Sequence, residues 1–174
     1  GDMGKLYAAS FAKAGYDVYG SDVERLNALL KDELRPSGVE VLSNGHEVAR
    51  RADFLIFCVE AEYIGAVVQS YANSIKFGAI VSGQTSVKTP EIEAFEKCLS
   101  KDIQIVTCHS LHGPAFSTAG QTLIVIRHRA TDESYEKSLE IYSALNSKII
   151  EMHDYKAHDQ IMADIQAITH MGFE

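Results

Sequence analysis

Polar residues that could perform acid–base chemistry follow two short apolar runs in the middle of the chain. The run 79–82 is followed by GQTSVK at 83–88, and the run 104–107 is followed by CHSLHGP at 108–114. If both runs are parallel strands, these segments lie at the carboxyl edge of a sheet, where open α/β sheets bind ligands. Because a neutral imidazole accepts a proton at physiological pH, His109 is the first candidate for a general base. A buried structural histidine is the alternative.

A short glycine motif opens the chain, with GDMG at 1–4 running directly into a helical pattern. In dinucleotide-binding units the motif G-x-G-x-x-G follows a strand and begins a helix whose N–H groups face the pyrophosphate. Gly1 and Gly4 fit the second and third glycines, and the backbone of Asp2 and Met3 would lie against the phosphates. The first glycine and its strand would then precede residue 1. A simple loop is the alternative interpretation.

Three residues at or after the end of the predicted strand 17–21 are candidates for the adenine ribose. Asp22 stands where an acidic residue holds the ribose hydroxyls, and its negative charge favours NAD over NADP. Ser21 and Arg25 could instead accommodate the 2′-phosphate of NADP, and Asp22 could also serve as a helix N-cap. Val59 and Ala61, at the end of the third predicted strand, are candidates to line the nicotinamide half. They could equally be ordinary core and turn residues.

The elements that must position these residues alternate along the chain. Short β-branched runs predict strands at 17–21, 39–42, 54–59, 79–82, 104–107, 123–127 and 148–151. Amphipathic patterns predict helices at 5–14, 23–33, 63–74, 90–99 and 133–146. This alternation predicts a doubly wound, Rossmann-like α/β domain with a mostly parallel sheet, its first strand absent.

A longer helical pattern at 158–170 follows the last predicted strand. We interpret it as the first helix of a helical domain of which the chain holds no more. The predicted division is therefore a dinucleotide-binding domain over 1–153 and the start of a second domain over 154–174.

Composition excludes several classes of protein. Hydrophobic residues make up 46% and charged residues 23% of 174 residues, as in a folded globular chain. The net charge of -8, without a long basic run, argues against nucleic acid as a partner. No apolar stretch approaches the roughly 20 residues of a membrane span, and no signal peptide opens the chain, so we expect a cytoplasmic protein without a membrane partner.

The three cysteines and five further histidines show no spacing typical of a metal site or a disulfide framework, and two lysines lie in or near the candidate segments. We expect no metal and a reducing compartment. The default prediction is a surface or structural position for the histidines and a solvated one for the lysines. These residues are Cys58, Cys98, Cys108, His46, His112, His128, His153, His158, Lys88 and Lys97.

Five segments, spread over essentially all 174 residues, resemble the prephenate dehydrogenase family, and most closely its fungal, NADP-dependent members. They are GDMG at 1–4, NGHEVARRADFLIFCVEA at 44–61, GQTSVKTPEIEAFEKCL at 83–99, HSLHGP at 109–114 and HDQIMADIQAITH at 158–170. Several of these segments are long, and together they are far more specific than the glycine motif.

The resemblance implies oxidative decarboxylation of prephenate to 4-hydroxyphenylpyruvate in tyrosine biosynthesis, with hydride transfer to NADP or, alternatively, NAD. It implies that His109 accepts a hydrogen bond from the ring hydroxyl of the substrate and that Ser86 supports the same hydroxyl near the nicotinamide. It also implies that Gln166 and His170 line the substrate pocket. The parent enzyme would be a homodimer through its helical domain, which also supplies an arginine for a substrate carboxylate. The resemblance thus implies a chain that is inactive by itself.

Alternatives remain at this point. Arogenate dehydrogenase performs the same chemistry on an amino-acid side chain, and a non-catalytic nucleotide-binding fragment would need only the glycine turn. A β-hydroxyacid dehydrogenase would need a lysine in its helical region, and the helix predicted at 158–170 has none.

Overall fold

Strands and helices alternate throughout the computed structural model, which describes the backbone of residues 1–171 and the side chains of residues 1–168. Its helices are Asp2–Lys13 (α1), Glu24–Leu34 (α2), Gly45–Arg51 (α3), Ile64–Tyr71 (α4), Thr89–Cys98 (α5), Asp132–Ser143 (α6) and Tyr155–Met171 (α7). Its strands are Tyr19–Gly20 (β1), Glu40–Val41 (β2), Phe54–Phe57 (β3), Ile80–Gly83 (β4), Gln104–Ser110 (β5), Thr122–Arg129 (β6) and Lys148–Met152 (β7). Each predicted strand and helix therefore has a counterpart.

The strands form two separate sheets. β1 pairs with β2, while the larger sheet has the order β3-β4-β5-β6-β7. All neighbours in the larger sheet are parallel except β5 and β6. Among the described residues, no strand joins β1 to β3 through hydrogen bonds, so the two sheets remain separate. The prediction of a doubly wound, mostly parallel α/β domain is confirmed.

Two apolar cores cover the two faces of the larger sheet. Because successive side chains of a strand point to opposite faces, Val81 and Ile105 pack under α4 and α5, whereas Ile80 and Val106 face α1 and α6. Tyr142 of α6 is fully buried in the second core. Because the apolar side chains of each strand alternate between the two faces, the sheet has an apolar surface for helices on both sides.

The helix α3 was not predicted, and the end of β5 at the candidate site differs from the prediction. α3 has only seven residues, too short for an amphipathic pattern, and its signal is the N-cap Asn44, whose side chain accepts from the Glu47 backbone N–H at 3.1 Å. β5 continues to Ser110 because its antiparallel pairing with β6 extends beyond its parallel pairing with β4. His109 is therefore a strand residue opposite Ile124, where the sequence predicted a loop residue.

A buried ion pair joins β4, β5 and α5. The side chains of Lys88 and Glu91 are both 0% exposed, and their charged groups are 3.1 Å apart. Lys88 Nζ also donates to Thr107 Oγ1 at 3.1 Å and to the Gly83 carbonyl at 3.2 Å. Glu91 accepts from the Thr85 hydroxyl at 2.7 Å and from its backbone N–H at 3.1 Å. Both charges thus have several hydrogen-bonding partners in place of water.

The prediction that Lys88 is solvated is wrong, whereas Lys97 is exposed as expected. The sequence offers only a Lys and a Glu three residues apart, a spacing that surface helices commonly show. Burial depends on Gly83 and Thr107, which approach from the two strands.

Gly83→Ala tests this packing. A Cβ at Gly83 would overlap the Glu91 carboxylate, so we expect the variant to lose about 3 kcal/mol of unfolding free energy through overpacking and separation of the buried pair. A Cβ at Gly65, in α4, meets nothing within 4 Å, and Gly65→Ala is the matched control, with a gain of up to about 1 kcal/mol from helix propensity. Urea unfolding measures both, and equal stabilities for the two variants would contradict the arrangement.

Candidate functional site

The candidate site lies at the carboxyl ends of β3 and β5, beside the N-terminus of α1. A Cβ at Gly4 would lie 3.1 Å from Cys58 Cβ, so the start of α1 contacts the residue that follows β3. The Tyr7 hydroxyl of α1 is hydrogen-bonded to the Ser110 hydroxyl at the end of β5. The glycine turn and His109 are thus placed at one edge of the sheet.

The glycine turn adjoins the predicted ribose site. The Gly1 nitrogen is 2.9 Å from Asp22 Oδ2, which brings together residues that are 21 positions apart. Asp22 Oδ1 accepts from the Val23 backbone N–H at 2.8 Å. Ser21 is half-buried, and Arg25 is exposed in the first turn of α2. The first helix and the loop after β1 therefore form one surface.

A chain of hydrogen bonds leads from His109 to α7. His109 Nδ1 lies 3.0 Å from His158 Nε2, and His158 Nδ1 lies 2.8 Å from Asp159 Oδ1. The same carboxylate accepts from the backbone N–H groups of Lys88 and Thr89 at 2.7 and 2.8 Å and from the Thr89 hydroxyl at 2.7 Å. Asp159 thus joins the N-terminus of α5 to the N-terminal part of α7.

The surroundings keep His109 neutral. Burial, together with the positive charge of Lys88 and the proximity of His158, lowers the pKa of His109 to about 4, against a weaker opposing effect of Asp159. Burial would raise the pKa of Asp159, but hydrogen bonds from the Lys88 backbone, Thr89 and His158 outweigh it and lower that pKa. At physiological pH a neutral imidazole therefore stands two hydrogen bonds from a carboxylate.

His158 was missed by sequence reasoning, which predicted a surface or structural position. Its side chain is 0% exposed, and its ring meets that of His109 edge to face with centroids 5.2 Å apart. Its place depends on how α7 packs against β5, which periodicity does not reveal. The sequence signal for a functional His158 is the carboxylate of Asp159, the next residue in the segment 158–170.

The other candidates are less closely connected to His109. Ser86 is exposed in the loop between β4 and α5, and within the described part of the chain it has no hydrogen-bond partner. Val59 packs partly against the core under α4, and Ala61 is half-buried in the following turn. Gln166 is exposed on α7, and the side chain of His170 lies outside the described residues. The roles of these residues remain predictions.

Neither a membrane-spanning helix nor a metal-binding cluster is found among the described residues. Within them no helix is long and apolar enough to cross a membrane. Their side chains form no group of three or more His, Cys, Asp or Glu residues able to hold a metal ion.

Comparison with known proteins identifies the family. Residues 8–150 match the family described as prephenate dehydrogenase, nucleotide-binding domain. The chain belongs to the prephenate dehydrogenase family. The prephenate dehydrogenase [NADP(+)] of Saccharomyces cerevisiae is 47% identical over 174 residues, which are 99% of this chain and 38% of the yeast protein. The probable prephenate dehydrogenase [NADP(+)] of Schizosaccharomyces pombe is 44% identical over 99% of this chain and 40% of its own length.

Solved structures share the fold at low sequence identity. Prephenate dehydrogenase from Aquifex aeolicus has a TM-score of 0.74 at 17% identity, over 97% of this chain and 68% of its own. Arogenate dehydrogenase from Synechocystis has a TM-score of 0.80 at 17% identity, over 92% of this chain and 59% of its own. The Rossmann-like fold is therefore shared across this family and its neighbours.

The low pKa of His109 has a consequence for stability. With a folded pKa of about 4 and an ordinary value of 6.5, the unfolded chain takes up the proton first as the pH falls. The contribution of His109 to stability is thus constant above about pH 6.5 and is lost progressively toward pH 4. We expect His109→Asn to reduce the difference in unfolding free energy between pH 7 and pH 4.5, measured by urea unfolding.

The control for this measurement is His153→Asn, because His153 is exposed. It should leave the pH dependence of stability unchanged. A pH dependence that is the same in the wild type and in His109→Asn would contradict the low pKa.

Proposed function

We propose that this chain is the nucleotide-binding part of an NADP-dependent prephenate dehydrogenase, which oxidatively decarboxylates prephenate to 4-hydroxyphenylpyruvate. The observation that carries the proposal is a half-buried, neutral His109 at the carboxyl edge of the sheet, next to a glycine turn at the start of α1. The names of two fungal relatives that are 47% and 44% identical support the substrate and the cofactor. The chain spans about two fifths of those relatives.

The residues around the glycine turn fit a dinucleotide. Gly4 has no room for a side chain larger than its hydrogen without displacing Cys58, so the backbone at the start of α1 stays close to the sheet. We propose that Gly1, Asp2, Met3 and Gly4 hold the pyrophosphate through backbone N–H groups and the positive end of α1. When bound, the nicotinamide supplies the hydride acceptor, with Val59 and Ala61 along that half.

The contacts of the ribose candidates favour NADP. The Asp22 carboxylate accepts from the Val23 backbone N–H, whereas the exposed guanidinium of Arg25 has no ion-pair partner among the described residues. Arg25 can therefore turn to a 2′-phosphate, and Ser21 can donate a hydrogen bond to it. The charge of Asp22 alone would favour NAD.

His109 takes the role of proton acceptor in this proposal. As hydride leaves the carbon that carries the ring hydroxyl, positive charge develops there and the hydroxyl proton becomes acidic. A neutral imidazole within hydrogen-bond reach accepts that proton, and loss of carbon dioxide with aromatisation drives the reaction. Ser86, in the loop between β4 and α5, is proposed to orient the same hydroxyl.

The wider context of the enzyme also belongs to the proposal. We propose the division into a dinucleotide-binding domain over 1–153 and the start of a helical domain over 154–174, with Gln166 and His170 toward the substrate. The boundary is supported by the end of β7 at Met152 and the start of α7 at Tyr155. The resemblance to the family further supports a cytoplasmic homodimer that acts in tyrosine biosynthesis.

Turnover by the full-length protein tests the proposal. We expect it to oxidise prephenate with NADP faster than with NAD, because Arg25 can pair with the 2′-phosphate. Loss of the proton acceptor in His109→Asn should lower kcat/KM for prephenate by about 100-fold or more. The KM for NADP should change little, and His153→Asn should be fully active. Formation of NADPH, followed by absorbance, measures each rate.

Three results would count against the proposal in different ways. Undiminished turnover by His109→Asn would remove His109 from the chemistry. A higher kcat/KM for arogenate than for prephenate would change the substrate. Binding of NADP without turnover of either compound would indicate a binding module.

A further inference from the structure

The hydrogen-bond chain behind His109 restricts where the protons of its histidines lie. Asp159 accepts four hydrogen bonds, and a carboxylate of lowered pKa is an acceptor only. His158 Nδ1 must therefore carry a proton and donate it to Asp159. If His158 is neutral, its Nε2 is then an acceptor, and the proton between the two rings belongs to His109 Nδ1.

We infer that His158 and Asp159 are positioning residues that hold His109 in the Nδ1–H form, so that its Nε2 lone pair is free to accept the proton of the substrate hydroxyl. This inference rests on the proposed function for the identity of the substrate. Within the described part of the chain, no hydrogen bond occupies His109 Nε2. Without such a chain a neutral histidine in water exchanges its proton between both nitrogens, and only one of the two forms has the lone pair on Nε2.

The charges around His109 disfavour the reverse arrangement, in which His158 donates the hydrogen bond to His109 Nδ1. If His158 carried two protons, it would donate to His109 Nδ1 and leave His109 with a proton on Nε2, unable to act as a base there. That state places an imidazolium in a fully buried side chain next to His109, whose pKa the positive charge of Lys88 already lowers. The charged groups that act on His109 are Lys88, His158 and Asp159. Burial of a second cation so close to the first is costly.

Asp159 also anchors the hydrogen-bond chain to the start of α5. It accepts from the first two N–H groups at the start of α5, which follows the loop that carries Ser86. The loop of Ser86 and the ring of His109 are thus held by one carboxylate on α7. We infer that the start of α7 sets both the tautomer of the base and the position of the neighbouring hydroxyl.

Nitrogen-15 NMR of histidine-labelled full-length protein at pH 7 reads the tautomer directly, with no substrate present. The His109 signals are assigned by their disappearance in His109→Asn. We expect a protonated Nδ1 and an unprotonated Nε2 on both His109 and His158. A wild-type His109 protonated on Nε2, or an equal mixture of the two forms, would overturn the inference.

Asp159→Asn should weaken the restriction, because an amide, unlike a carboxylate, can also present an N–H donor to His158 Nδ1. We expect the His109 signals to shift toward a mixture of tautomers and kcat for prephenate to fall by about 10- to 100-fold, with the KM for NADP within about twofold of wild type. The matched control is Glu96→Gln, which removes a carboxylate that lies 2.9 Å from the ring of His128. That variant should leave the His109 signals and kcat unchanged.

A second pair of variants keeps the inference testable if Asp159→Asn does not fold. The amide oxygen of His158→Gln can still accept from His109 Nδ1–H, whereas His158→Leu cannot. We expect His158→Gln to retain at least about 10-fold more kcat than His158→Leu. Equal losses in the two would contradict a role in fixing the tautomer.

The two proposals fail separately. An unprotonated Nε2 in a protein that does not oxidise prephenate would support the positioning role and refute the proposed function. Full prephenate turnover by a protein whose His109 is protonated on Nε2 would refute the positioning role alone.

Discussion

The buried pair of Lys88 and Glu91 is the constraint on which the site depends. An ammonium and a carboxylate that are both 0% exposed can be accommodated only if hydrogen bonds replace their lost hydration. Gly83, Thr85 and Thr107 supply those bonds from β4, from the following loop and from β5. The end of β4, the start of α5 and the middle of β5 therefore have one mutual arrangement.

That arrangement determines the electrostatics of the candidate base. The same turn directs the N–H groups of Lys88 and Thr89 to Asp159, and through His158 this carboxylate reaches His109. The Lys88 ammonium, held near His109, adds to burial in lowering the pKa of that histidine. An ordinary residue type thus becomes a neutral acceptor through packing.

Periodicity and punctuation in the sequence were enough to predict the seven strands, the layer order and the edge where His109 lies. They missed α3, which is one short helix capped by Asn44, and the extension of β5, which depends on pairing with β6. Lys88 was predicted to be solvated and His158 to hold a surface or structural position, because the contacts that bury them come from residues distant in sequence. Thr107 approaches Lys88 from 19 positions away, and His109 approaches His158 from 49. The sequence pattern could predict the candidate base, His109, but not the groups that lower its pKa and hydrogen-bond to it.

The dependence of kcat/KM for prephenate on pH tests the central claim, a base kept neutral by its surroundings, most directly. With the pKa of His109 at about 4, the full-length protein should lose less than about twofold of kcat/KM between pH 7 and pH 5. A histidine with its ordinary pKa of about 6.5 would lose roughly 25-fold over that range, because almost all of it would be protonated at pH 5. A loss of that size, absent from His109→Asn, would contradict the account.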